Sequence, residues 1–422
     1  MAIKGKVSKL AVDGGSKVRK GPWPVRKLFM EREKAAVMKL FDRAMTEGSH
    51  ILGYNGEQEQ NYCKEFARYM GGGYADGVNS GTSALYVALR SLEIEPFSEV
   101  IVPPTTDPGG VMPVPLINCI PVQADSAPGF YNAGAEQIAA CLTRRTRAII
   151  VAHITGFPVD MDPVMKLARA RGIPVIEDCA QAHGGMYKGR MLGSIGDVAA
   201  FSTMFGKHHA TAGQGGIVFT KNEAHYWRIR RFADRGKPFG LEGPHTNVVA
   251  SLNFNMDELH AAIGRVQLKR LPGMLAIRRK IAARIGKGLM EKTRTVRLAA
   301  PPAHSKSAYW FLFMRIQPER LTISKSDFVK AVVAEGVPMG ERYWCVPSTQ
   351  EWFRNRAVYG KSGLPWTSER YKGSYGGSFD LTNVTAADAC HVAVTGFHEG
   401  CTSREADDIV DAVSKVEKTC LR

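Results

Sequence analysis

A wound, mostly parallel α/β sheet followed by a smaller C-terminal α+β unit is the fold this sequence predicts, and three observations predict it. From Met30 to about Leu271, amphipathic helical stretches alternate with short apolar strands. Within that span Ala148–His153, residues 162–171 and Pro174–Asp178 make a complete βαβ unit, whose crossover helix must lie on the sheet face. After Ala299-Ala300-Pro301-Pro302 the texture changes to an alternating strand, a helix and a closing helix.

The elements follow in order. Residues 36–47 and 57–69 place apolar side chains at three- and four-residue spacing, as a half-buried helix does. Ser80 introduces a helix over 81–92, and Glu99–Val102 is the strand after it. Residues 198–203 and 216–220 are two further strands, joined by a loop rich in Gly and His. Helices are expected over 256–271 and 276–290, the second long and leading out of the domain. Beyond the Pro pair, 309–316 is a strand, 325–335 a helix, and 403–416 a helix opened by a Ser cap. The boundary therefore falls near Thr295: a basic N-terminal segment over 1–29, a large domain over 30–294 and a small one over 295–422. The Gly-, Ser- and Tyr-rich stretch 360–377 reads as a long surface loop.

At 422 residues the chain is too long for one core. No apolar run approaches the roughly 20 residues that span a bilayer, and the N-terminus lacks a secretory apolar core, so a cytoplasmic protein without a membrane partner is expected. The eight cysteines form no C-x-x-C pair, which suits buried thiols in a reducing compartment. A formal charge of +16 favours anionic partners, but Lys and Arg are dispersed and do not alternate with aromatics, so nucleic acid is not expected. The basic residues of the first 27 positions read as solvated surface.

Four segments can carry chemistry. Asn79-Ser80-Gly81-Thr82-Ser83 opens a helix, where small residues and free N–H groups suit a phosphate, or where Ser and Asn simply cap. Asp178 ends the strand PVIED, so it faces the cleft beyond the carboxyl ends of the sheet, unless it only caps the next turn. Ser202 and Lys207 enter a Gly-rich loop between two apolar strands; such a lysine is suited to Schiff-base chemistry once its pKa is lowered. His208-His209 invites a metal, but adjacent side chains point apart, and none is expected. Asn253 precedes a strongly amphipathic helix and says only that a helix starts there.

Taken together, SGTSALYVAL, EVIVPP, TRAIIVAHITG, IEDCAQAHGG, GDVAAFS, the lysine loop with GQGG, and NFNMDELHAAIGRVQL resemble the DegT/StrS family of aminotransferases acting on keto-sugars and keto-cyclitols. The resemblance spans residues 10–416, and LAVDGGSKVRKGPWP is similar to the opening of the aminocyclitol and aminohydroxybenzoate synthase branch. It implies a fold-type-I transferase dependent on pyridoxal 5'-phosphate. Lys207 would hold the cofactor as a Schiff base and Asp178 would pair with the pyridine nitrogen. Gln181 would pack by the ring, and Thr82, Ser83 and Ser202 would hold the phosphate. Asn253 of the paired subunit would complete that cradle, making a homodimer the active unit.

Three departures bear on the substrate. Asp107 stands where an aromatic residue usually stacks on the ring. Gln214 replaces a Glu, and one extra residue separates Lys207 from Gly213. Asn255 replaces an Arg that touches substrate in many members. The other register of the loop puts His208 at the lysine position, as in a related deoxysugar dehydrase. Counting from the stiff strand keeps Lys207 in place, and His208 is then expected at the loop or the substrate mouth. The expected activity is transfer of an amino group from glutamate or glutamine to a keto-sugar or keto-cyclitol. The rivals are a dehydrase and a regulatory protein that kept the fold.

Overall fold

The computed structural model describes residues 9–243, 245–343, 345–373 and 379–422. Helix α1 (Glu31–Glu47) begins earlier than its apolar periodicity because its first turn is polar. There the Glu33 carboxylate accepts the Met30 N–H at 2.9 Å and Gln267 Nε2 at 2.6 Å. Helix α2 (Glu57–Tyr69) matches expectation. Strand β1 (Tyr74–Val78) was hidden by Asp76 and Gly77, both poor strand formers; Asp76 is buried and paired with Arg230 at 3.1 Å.

Then come α3 (Gly81–Ser91), β2 (Glu99–Val102), the single turn α4 (Pro113–Leu116), β3 (Ile120–Gln123), α5 (Ala135–Ala140), β4 (Thr146–Ala152), α6 (Met161–Ala170) and β5 (Val175–Asp178). A short hairpin, β6 (Met186–Tyr187) with β7 (Arg190–Met191), precedes β8 (Val198–Ser202), β9 (Gly216–Thr220) and α7 (Glu223–Ala233).

These strands build a seven-stranded sheet in the order β1-β9-β8-β5-β4-β2-β3. Only β9 runs against the rest. Strict alternation divides the sheet into two apolar faces. Ile101, Ile149, Val151, Val175 and Phe201 pack against α2 and α6, whereas Val100, Val102, Ile150, Ile176 and Val198 pack against α3 and α7. The edge strand β3 escaped notice because it contains Pro121, which an edge tolerates. Its Ile120 is covered by Trp366 and Tyr371, so part of the stretch expected to be only surface loop packs against the sheet edge; residues 374–377 of it lie outside the described residues.

One correction concerns helices. The two expected over 256–290 are a single helix, α8 (Glu258–Lys292), of 35 residues. Pro272 lies within it but on the exposed side, so its ring does not disturb the packed face. The buried stripe Leu271, Met274, Leu275 and Arg278 passes straight through. The first half of α8 packs on the large sheet and the second half, through Ile281, Ile285 and Leu289, on a separate core.

That second core is built from β10 (Val296–Leu298), β12 (Leu312–Ile316), α9 (Lys325–Ala334), β13 (Met339–Gly340), β14 (His391–Val394) and α12 (Ser403–Cys420). The two residues of β11 (Ser305–Lys306) pair with β6, and α10 (Glu351–Arg354) and α11 (Thr382–Cys390) complete the chain. The small sheet is antiparallel, in the order β10-β12-β14-β13. Among the described residues no helix is long and apolar enough to cross a membrane.

The N-terminal segment is not mere solvated basic surface. Leu10 joins the second core, and Arg19 is buried, with Nη1 2.9 Å from Glu405 and 2.6 Å from Asp408. Residues 1–8 lie outside the described residues. Arg26 pairs with Glu399 at 2.8 Å, and Arg278 of α8 reaches the same carboxylate at 2.7 Å. Burial pushes Glu399 up, but the two guanidiniums outweigh it and hold the carboxyl at about 2. A depressed carboxylate contributes stability above its ordinary pKa and loses it as the pH falls toward the folded value. Glu399→Gln should therefore destabilise the fold by about 3 kcal/mol at neutral pH, since it strands Arg278. The gap from wild type in denaturant titrations should narrow toward about pH 3; an equal gap at both pH values would mean the charge on Glu399 is irrelevant.

Candidate active site

The carboxyl ends of the parallel strands bring the expected residues to one cleft. Asp178 ends β5; its Oδ1 accepts the Ala180 N–H at 3.0 Å, and its Oδ2 meets the Thr106 hydroxyl at 3.4 Å. Burial raises its pKa, opposed by the Ala180 N–H and by the Lys207 ammonium. Lys207 is 6% exposed. Burial lowers its pKa, opposed by the carboxylates of Asp178 and Asp107. Its Nζ sits 4.1 Å from the Trp310 ring centroid and, among the described residues, makes no ion pair. A buried amine held by an aromatic face and two carboxylate fields is a nucleophile whose proton can be lost.

The loop explains why Lys207 and not His208 occupies this place. Thr203 ties it off twice, receiving the Thr211 N–H at 2.9 Å on its carbonyl and donating its own N–H to Gly215 at 2.8 Å. Residues 204–210 thus form a closed ring ahead of the arc Ala212–Gln214, where Ala212 takes a left-handed conformation (φ 70°), and the Phe205 N–H reaches the Gly213 carbonyl of that arc at 3.1 Å. His208 is buried, its Nε2 3.0 Å from the Ala308 carbonyl. Of the two places expected for it, the loop and the substrate mouth, it takes the first, its side chain packed behind the loop. His209 turns elsewhere, toward Tyr62 at 2.7 Å, so the two rings point apart.

Gln181 lies beneath the cleft with both ends committed: Oε1 accepts the Thr155 N–H at 2.7 Å and Nε2 donates to Tyr343 at 2.8 Å. Thr82 is exposed at the start of α3, and Ser202 Oγ has one long contact, from the Met204 N–H at 3.4 Å. Ser83 departs from expectation. Its hydroxyl donates to Asn79 at 2.7 Å and its N–H to Ser80, so it braces the turn and presents no free hydroxyl. Asp107 caps a short turn through the Gly109 N–H at 3.0 Å, which leaves a carboxylate edge and no flat face where a ring would stack. Asn253 is exposed on its own subunit, its Oδ1 accepting from Asn255 at 2.7 Å. Trp310, Tyr343 and Thr106 were missed, since they lie far apart in sequence and in no motif.

The pocket fits pyridoxal phosphate. A Cβ added at Gly109 would lie 2.3 Å from Thr82 Oγ1, one at Gly110 2.4 Å from Thr106 Oγ1, and one at Gly81 2.5 Å from Ser202 Cβ. Backbone and hydroxyls therefore crowd a cradle at the N-terminus of α3, whose first N–H groups have no helical acceptor and suit a phosphate. Lys207 and Asp178 could supply the amine and the carboxylate that such a ring needs.

A seven-stranded sheet with one reversed strand and a buried Lys–Asp couple at its carboxyl edge define a pyridoxal-phosphate-dependent aminotransferase of fold type I. The chain belongs to the DegT/DnrJ/EryC1/StrS aminotransferase family, whose model matches residues 32–375. It is 31% identical over 339 residues, 77% of this chain and 78% of the relative, to L-glutamine:2-deoxy-scyllo-inosose aminotransferase of Streptomyces lividus. It is 34% identical over 265 residues, 63% of this chain and 69% of the relative, to dTDP-3-amino-3,4,6-trideoxy-alpha-D-glucose transaminase of Micromonospora megalomicea subsp. nigra. The crystal structure of the aminotransferase from Psychrobacter cryohalolentis superposes with a TM-score of 0.80 at 29% identity, covering 94% of this chain and 99% of that one.

The charges around Lys207 make a direct test. Each nearby carboxylate favours its ammonium form, so removing one should lower its pKa further. The pH profile of trinitrobenzenesulfonate labelling of the apoprotein at Lys207 should shift to lower pH in Asp178→Asn. An unmoved midpoint would show that the two charges do not meet.

Proposed function

We propose that the protein transfers an amino group from glutamine or glutamate to a keto-cyclitol or keto-sugar, as a homodimer in the cytoplasm. The observation that carries this reading is the buried Lys207 amine held in the field of Asp178 and over Trp310. A large unit over residues 30–294 would hold the cofactor, a small one over 295–422 would close the cleft, and residues 1–29 would clasp the small one. The cyclitol acceptor is supported by the inosose aminotransferase named above and the keto-sugar by the transaminase. Eight unpaired cysteines suit a reducing compartment.

Pyridoxal phosphate, when bound, supplies an aldehyde that exchanges amines and a ring that withdraws electrons from the substrate carbon. The chain supplies the rest. Asp178 would hold the pyridine nitrogen protonated. Thr82, Ser202 and the first N–H groups of α3 would bind the phosphate, with Ser83 bracing their turn. Gln181, fixed by Thr155 and Tyr343, would orient the ring edge. Lys207 Nζ, its pKa lowered by burial, would carry a proton between carbon centres. His208, spent on the Ala308 carbonyl, gives the dehydrase alternative no support.

Dimerisation is supported by exposed apolar side chains near the cleft, Phe205 at 63% and Leu252 at 62%, the latter beside the exposed Asn253. Asn253 would reach the partner's phosphate.

Borohydride reduction of the loaded protein should leave the pyridoxyl group on the peptide carrying Lys207; a label on another lysine would remove the central assignment. With glutamine or glutamate alone the bound cofactor should convert spectrally to its amine form, and Asp178→Asn should slow this by about a hundredfold or more, in the range of a lost general acid–base or electrostatic contribution. If no conversion occurs while the amine-form protein removes a hydroxyl from a keto-sugar, the enzyme is a dehydrase. Mixing Lys207→Ala with Asn253→Ala protomers should restore activity in mixed dimers. Mixed dimers that form but stay inactive would confine Asn253 to its own subunit.

A further inference from the structure

A second cavity lies where the two cores meet, away from Lys207. Along β12, Leu312, Met314 and Ile316 face the helices of the small unit, so Phe313 and Arg315 face the opposite way. On the neighbouring strand His391 pairs with Arg315 and Ala393 with Phe313. Tyr131, Ile154, Phe157 and Ala299 pack over this sheet face, but they leave a cavity of about 150 Å³. A space of that size between apolar walls is enough for a single six-membered ring.

Two polar side-chain groups in its wall have no partner among the described residues. Thr155 is fully buried, its hydroxyl bonds to nothing, and its backbone is held at φ 57°, a left-handed conformation costly for a β-branched residue. Arg315 is exposed at the cavity and, among the described residues, makes no ion pair; its Nη1 and Nη2 would lie 3.4 Å from a Cβ on Gly129. Burial lowers His391 to about 4, and its Nδ1 is engaged by the Ala387 carbonyl, so the ring is neutral. Arg315 is then the one charge among the described lining residues.

A ring-sized apolar space with one unpaired cation and one buried, unmatched hydroxyl is a complementary mould for a single chemistry. We propose that this cavity binds a small carboxylate with a flat apolar body, its acid on Arg315, and that occupancy bears on the active site. The route is short: the Thr155 N–H holds Gln181 at 2.7 Å, and the Thr155 carbonyl holds the Trp310 N–H at 2.8 Å, with Trp310 in turn roofing Lys207. A ligand that grips Thr155 thus bears on the residue whose backbone holds both Gln181 and Trp310, the ring over Lys207.

The test is calorimetric titration of benzoate into the cofactor-loaded protein, which is independent of whether the acceptor has been found. Saturable binding is expected, weakened at least tenfold by Arg315→Gln, a surface change that leaves the fold intact. Ala299→Leu, which fills the cavity, should also abolish it, with thermal melting confirming that the variant is folded. Benzyl alcohol, the uncharged counterpart, should bind wild type and Arg315→Gln alike. Benzoate should also shift the absorption band of the bound cofactor in wild type but not in Ala299→Leu. No saturable heat at millimolar benzoate, binding undiminished in Arg315→Gln, or one-for-one competition with glutamate would each overturn the proposal, the last by placing benzoate in the Lys207 cleft.

Discussion

The buried pair of Arg278 and Glu399 is the interaction on which the geometry around Lys207 depends. Arg278 projects from the middle of the long helix, and burial pulls its guanidinium down to about 10, while Glu399 is held at about 2, so both are charged near neutrality. Isolated in so dry a place, either charge would be strongly unfavourable; together, and with Arg26 on the second carboxylate oxygen, they are satisfied. The same guanidinium donates to the Tyr309 carbonyl at 2.8 Å, which fixes the residue before Trp310. Arg26 and the Trp310 indole N–H both donate to the Gly206 carbonyl, at 3.1 and 3.2 Å. Four distant stretches of chain, the N-terminal segment, the long helix, the lysine loop and the small unit, therefore converge on one charge pair.

What that frame positions is a balance of opposing shifts. Burial favours the neutral form of both Asp178 and Lys207, since it raises the acid and lowers the base. Each moderates the other across the cleft. An amine that is neither locked as ammonium nor freely deprotonated is suited to forming and releasing a carbonyl bond repeatedly. The crowded glycines beside Thr82, Thr106 and Ser202 bring backbone close enough to bind an anion without adding charge of their own.

How much of this was legible in the sequence depends on the kind of signal each feature leaves. Strands with unbroken apolar runs, such as β4 and β8, and the Asp178 and Lys207 that come after strands, announce themselves locally. Strand β1 did not, because Asp76 is acceptable only when Arg230 meets it from another helix. Strand β3 did not, because Pro121 is tolerated only at an edge. The unity of α8 was hidden by Pro272, whose cost depends on which side of the helix it occupies. Trp310 and Tyr343 reach the cleft through tertiary contacts alone, and Ser83 looked like a phosphate ligand until Asn79 and Ser80 were seen to occupy it. Pattern finds what a residue does to its neighbours in sequence, and misses what folding brings to it.

The double fastening of Thr203 has a consequence for how this loop tolerates change. The pinch to Thr211 closes a short ring of chain around Lys207, the second bond to Gly215 gathers the remainder, and the Phe205 N–H, 3.1 Å from the Gly213 carbonyl, couples the two parts. Slack introduced in the Ala212–Gln214 arc is therefore not absorbed there alone, because it moves the carbonyl that Phe205 holds. The lysine, two residues beyond Phe205, feels what the arc contains. Descendants of this chain that lengthen or recolour the arc must therefore keep an acceptor for the Phe205 N–H, or let the ring of chain around the lysine shift with it.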